Sequence, residues 1–161
     1  MLDALKKVFN TSAITLKGIA TREEHLGPMQ THEAIHIRVE TGVGNDLRGK
    51  PGKRQVTVLS EESWQAACDT IEQTPSTLPW TTRRANLLVS GITFGPEDVG
   101  SRLILGKAVL EITRETDPCH FMEKAQPGLK HALKPEWRGG VCCRVLQGGE
   151  VSLGDSIKIE R

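Results

Sequence analysis

Residues 141–160 read VCCRVLQGGEVSLGDSIKIE. Two stretches in it, Val141–Leu146 and Ser156–Glu160, alternate apolar and polar side chains as half-buried strands do. Gly148, Gly149 and Gly154 break the chain between them. The same pattern recurs upstream. Ala34–Glu40 sets Ile35 and Ile37 against His36 and Arg38, and Gln55–Leu59, Leu87–Ser90, Arg102–Leu105 and Ala108–Arg114 read as further strands. Gly91, Gly95, Gly100 and Gly106 punctuate them. Many short strands at close spacing, joined by glycine turns, predict a mainly β fold: a barrel or a rolled sheet.

A few short peripheral helices accompany the strands. Ser60 can cap one, Glu61 and Glu62 suit its positive end, and Trp64, Ala67, Cys68 and Ile71 share a face. Cys68 therefore reads as core packing. Pro127–Leu133 and Leu2–Phe9 are shorter candidates, and Thr74–Trp80 (TPSTLPW) is a proline-rich connection inside a domain. At 161 residues the chain is expected to form one domain, 1–161, with its core over about 14–159.

Composition narrows the function. A net charge of +1 with 25% charged residues argues against general nucleic-acid binding. No apolar run approaches the roughly 18–20 residues of a membrane span. The start, MLDALKKVFN, is too polar for a signal peptide, so a cytoplasmic location with reduced thiols is expected. The four cysteines show no CxxC or paired His/Cys spacing, which leaves a structural zinc site without ligands. Cys142 and Cys143 lie on opposite faces of one strand, so at least one is expected to pack in the interior.

Three segments are more polar than their setting requires. Thr41–Leu59, TGVGNDLRGKPGKRQVTVL, places Arg48, Lys50, Lys53 and Arg54 among glycines whose amides can approach an anion; a solvated hairpin loop is the other reading. Thr82–Ile92, TRRANLLVSGI, sets Arg83 and Arg84 before Asn86. Guanidinium forks suit phosphate or carboxylate, and an asparagine amide can both donate and accept at a heterocycle edge. In ETDPCHFME, from Glu115, Pro118 stiffens a strand exit just before Cys119. A cysteine there, outside any apolar period, is either filler or a sulfur presented for chemistry.

These segments, in this order and with the closing WRGGVCCRVLQGGEVSLGDSIKI, resemble the MOSC domain, the C-terminal domain of molybdenum cofactor sulfurases. The resemblance implies a mainly β, barrel-like fold with a few peripheral short helices. It also implies a cysteine that ligates molybdenum or carries sulfur, a position that Cys119 matches. In amidoxime-reducing relatives an arginine two residues before an asparagine helps to hold the pterin, and Arg84 and Asn86 match that pair. Asp46, Arg48 and Arg54 would line the same cleft, and Arg138 is a further candidate without an assigned role.

The departures are Ala85, where many relatives carry Glu, and Leu47, where some carry His. The companion domains of the larger relatives have no counterpart in this length, so pyridoxal phosphate is not expected in this chain. Two chemistries and one bland reading follow. The first is binding of the molybdenum cofactor (molybdopterin), with reduction of N-hydroxylated compounds by way of an external electron-donating reductase. The second is a persulfide sulfur carrier fed by a cysteine desulfurase. The third is a non-catalytic binding module.

Overall fold

The computed structural model describes residues 13–161; the expected helix Leu2–Phe9 lies outside them. Seven strands close into a ring: β1 (Ile14–Thr21), β5 (Val56–Ser60), β6 (Leu87–Ser90), β7 (Arg102–Leu105), β8 (Ala108–Glu115), β9 (Val141–Gln147) and β11 (Ser156–Glu160). The order around the ring is β1-β6-β5-β9-β8-β7-β11, and β11 returns to β1 through Ile14 opposite Ile157. Every pair is antiparallel except β5–β6, where Val58 faces Leu87 in parallel. This mixed barrel is the mainly β architecture that the alternating strands predict.

A small three-stranded sheet packs alongside: β10 (Gly149–Ser152), β3 (Ala34–Arg38) and β4 (Gly42–Val43). The AIHIRVE strand thus belongs to this sheet and not to the ring. A two-residue strand, β2 (Gln30–Thr31), pairs antiparallel with the end of β1.

The parallel pair β5–β6 dictates the helical layer. Parallel neighbours need a crossover connection, and here it contains α1 (Glu61–Thr70). Ser60 caps α1, its hydroxyl accepting from Ser63 N at 3.2 Å while donating to the Ile92 carbonyl at 2.6 Å. Trp64 is buried and its indole donates to the Leu78 carbonyl at 3.0 Å, pinning the proline-rich return against the helix. Two further helices, α2 (His120–Ala125) and α3 (Leu129–Ala132), lie between β8 and β9. The second falls within the expected Pro127–Leu133.

Two apolar clusters result. One fills the barrel, with Leu16, Val58, Leu87, Leu105, Leu110, Ile112, Val141 and Cys143 among its members. The other lies between barrel and helices and includes Leu59, Trp64, Cys68, Leu88, Met122, Leu129 and Leu133. At Gly18 in β1 a Cβ would stand 2.6 Å from the Trp80 ring, so only glycine lets the connection settle onto the barrel wall. Among the described residues no helix is long and apolar enough to cross a membrane.

Candidate functional site

The crossover ends in a single 3-10 turn, Trp80–Arg83, and Arg84 follows in the left-handed region at φ 65°, ψ 31°. That reversal splays two consecutive arginines to different anchors. Arg83 turns inward: it is 7% exposed, and donates from Nε to the Gly139 carbonyl and from Nη2 to the Thr116 carbonyl, each at 3.0 Å. Arg84 turns the other way and donates from Nη2 to the Gly27 carbonyl. Its Nε is buried and has no hydrogen-bond partner among the described residues.

Asn86, two residues on, is buried and structural. Its Oδ1 accepts from Thr57 N at 3.1 Å and from the Thr57 hydroxyl at 3.3 Å, and its Nδ2 donates to the Ala20 carbonyl at 3.2 Å. One side-chain amide thereby ties β5 and β1 to the start of β6. It sets where the arginine turn emerges without itself lining the cleft beside it.

Cys119 is the exposed cysteine of the four, and it occupies the N-cap of α2 instead of a bare strand exit. Strand β8 delivers it: Glu115 pairs with Val141, and Thr116 N donates to the Gly140 carbonyl at 2.9 Å before the chain turns through Pro118. Gly139 permits this convergence, since a Cβ there would stand 2.6 Å from the Thr116 oxygen and 3.3 Å from Arg83 Nη2. Beneath, the Thr116 hydroxyl lies 3.2 Å from the fully buried Cys142 sulfur. Cys143 points into the barrel, and burial, with Cys142 beside it, pushes its thiol well up from the usual value.

The third wall comes from the turn after β4. Asp46 accepts from Arg22 N at 2.9 Å and from Arg48 N at 3.2 Å, and Leu47 N donates to the Arg22 carbonyl at 2.8 Å. The carboxylate is therefore occupied with backbone amides, and fixes two arginines on either side of itself. Arg22 leaves the end of β1. Burial lowers its pKa, Arg84 and Arg48 lower it further, and Asp46 opposes them.

These walls enclose a cleft of about 620 Å³. Arg22, Arg48, Arg54, Arg83, Arg84 and Lys124 line it together with Cys119, and among the described residues no aspartate or glutamate does. Among the described residues the ion pairs are Arg144 with Glu111 and Arg161 with Asp98, so no cleft cation has a carboxylate partner. Burial lowers the pKa of Arg83; the sulfurs of Cys119 and Cys142 oppose that, Arg54 adds to it, and Asp117 opposes it. Leu26 and Phe121, both exposed apolar side chains, also line the cleft. A concave, cation-rich pocket with one accessible thiol can hold an anion against a soft sulfur donor.

Of the residues singled out by sequence, Cys119, Arg84, Arg48 and Arg54 meet in this cleft. Asp46 and Asn86 stand behind it as supports. Arg138 is elsewhere, in a groove of about 310 Å³ bordered by Glu62 and Glu97, where it donates to the Thr70 hydroxyl and the Ala132 carbonyl. Arg22 and Lys124 are cleft cations that the sequence reading does not assign. Arg22 follows β1, a strand without clean alternation because its second half is buried on both faces. Lys124 rides on α2, a helix of six residues with no periodic signal.

The sequence profile described as the MOSC domain matches residues 21–158. No curated protein matches the sequence. Among solved structures, the YuaD protein of Bacillus subtilis superposes with a TM-score of 0.72 at 21% identity, covering 92% of this chain and 96% of that one. YiiM of Escherichia coli superposes with a TM-score of 0.70 at 13% identity, covering 91% of this chain and 70% of that one. YiiM of Geobacillus stearothermophilus gives 0.69 at 15%, covering 92% and 75%. At these identities the likeness establishes a shared fold.

Proposed function

This chain belongs to the MOSC domain family, and from that premise we propose that its cleft binds the molybdenum cofactor with the Cys119 sulfur as metal ligand. One observation carries the reading: an exposed thiol faces a pocket lined, among the described residues, by six cationic side chains and no carboxylate. Cations at that density, none of them in an ion pair among the described residues, are costly to hold together unless an anion joins them. The buried Arg84 Nε without a partner is a donor of the kind such an anion would satisfy.

The donor set fits the group. Arg84, Arg48 and Arg22 would hold its phosphate by charge-assisted hydrogen bonds, and a thiolate is the soft ligand that such a metal centre favours. When bound, the group supplies redox or oxygen-transfer chemistry, for which N-hydroxylated compounds are the substrate class we assign and a separate reductase the electron source. The protein's own part is orientation. Asp46 and Asn86 fix the arginines, Leu26 and Phe121 contribute apolar cover, and the Pro118 turn fixes the sulfur.

The test is molybdenum and pterin content per chain, in protein purified gently from a host that makes the cofactor. Near-stoichiometric content that is lost in Cys119→Ser and in Arg84→Ala supports the reading. Absence from the wild type, in a host that loads a known cofactor protein, sinks it. The exposure of Cys119 alone among the cysteines favours one second reading, sulfur carriage as a persulfide. Intact mass separates the two, since a carrier gains one sulfur on Cys119 without molybdenum.

A further inference from the structure

The cleft cations are anchored in two separate sets. Arg22, Arg48 and Arg84 are tied to the outer loops: Asp46 holds the first two by their backbone amides, and the Gly27 carbonyl holds the third. Arg83 is tied instead to the inner turns, through the carbonyls of Thr116 and Gly139. These two bonds use Nε and Nη2. Nη1 has no protein partner among the described residues and is not enclosed, so it is the nitrogen of this largely buried side chain that stays accessible in the cleft it lines with Cys119.

A buried guanidinium bonded only to neutral carbonyls keeps its full charge and leaves donors unused. Asp117 acts on it through space but forms no ion pair with it. Arg54, exposed and free of side-chain hydrogen bonds among the described residues, brings a second positive charge to the same corner. Neither arginine forms an ion pair among the described residues. The reversal at Arg84 keeps the two sets apart, because it sends adjacent arginines to anchors on different walls.

We propose that the cleft contains two anion subsites, and that the inner one, Arg83 with Arg54, holds a small doubly charged oxyanion of the sulfate type directly beside the Cys119 thiol. The outer set is left for the phosphate of the larger ligand. The site thus accepts either two anionic ligands together or one ligand with an anionic group at each end. The inference shares its cleft with the proposed function, but its test uses cofactor-free protein, so failure of one is read independently of the other.

The experiment follows alkylation of Cys119 by iodoacetamide, a neutral reagent, using intact mass. Sodium sulfate is titrated against sodium chloride at constant ionic strength. Wild type is expected to show a saturable, several-fold slowing that Arg83→Met abolishes and Arg22→Gln preserves. Should Arg83→Met fail to fold, Arg54→Gln probes the same corner from its exposed side and is expected to weaken the protection severalfold. No saturable protection in wild type would overturn the proposal. Equal loss of protection in the inner and outer variants would overturn the division into two subsites.

Discussion

Glu115 ends the strand that carries the chain to Cys119. Its carboxyl is raised from the ordinary value by burial and by the adjacent Asp117, which also hydrogen-bonds to it. A carboxyl raised in the folded state contributes stability that is complete below its unfolded value and is lost as pH rises through the folded one. Glu115→Gln, which imitates the protonated form, is therefore expected to melt higher than wild type near pH 7. It should gain nothing near pH 4, close to the ordinary carboxyl value. A gain of equal size at both pH values would contradict this. The cysteines give a second expectation at the same scale. Burial, then Asp69, raises the Cys68 thiol, Cys143 is raised by burial with Cys142 beside it, and Cys142 is fully buried. Native alkylation should add one label per chain, at Cys119, and unfolding should release the other three; a second rapid native label would refute the burial described here.

At the scale of elements, Asn86 shows how a supporting side chain positions others. It satisfies the Thr57 amide and hydroxyl and the Ala20 carbonyl inside the wall of the barrel. Asn86→Ala strands those groups and is expected to cost about 2–3 kcal/mol in denaturant unfolding, with looser anion binding in the outer set as a consequence. A loss below about 0.5 kcal/mol would mean that water replaces the amide without penalty. The same residue marks the limit of what sequence reading reaches. RRAN announces polar chemistry before a strand, but which members face a ligand depends on the left-handed turn at Arg84, and composition does not encode that turn. Regular strands such as Arg102–Leu105 and Ser156–Glu160 were legible because alternation is a local property. Strand β1 and helix α2 were not, one because both faces are buried and the other because six residues hold too little periodicity. The cleft was legible in its thiol, Arg84, Arg48 and Arg54, whereas Arg22 and Lys124 needed those two hidden elements to be placed.

For the whole molecule the closing seam is the shortest strand pairing of the ring. Strands β1 and β11 meet through Ile14–Ile157 and Thr15–Ser156, whereas β8 and β9 pair from Val109–Gln147 to Glu115–Val141. Hydrogen exchange is expected to be faster at the seam than along β8–β9, by one to two orders of magnitude, as a local opening would give. Uniform protection around the ring would show that the barrel opens only by global unfolding. The seam also has a meaning in time. Arg22 directly follows the first barrel strand, and Cys119 is made almost a hundred residues later. On a ribosome the outer wall of the cleft therefore waits, unplaced, until β11 has emerged and the ring can close upon it. A nascent chain would display its thiol before the outer wall stands beside it, so the two halves of the cleft are expected to come together only when the ring closes.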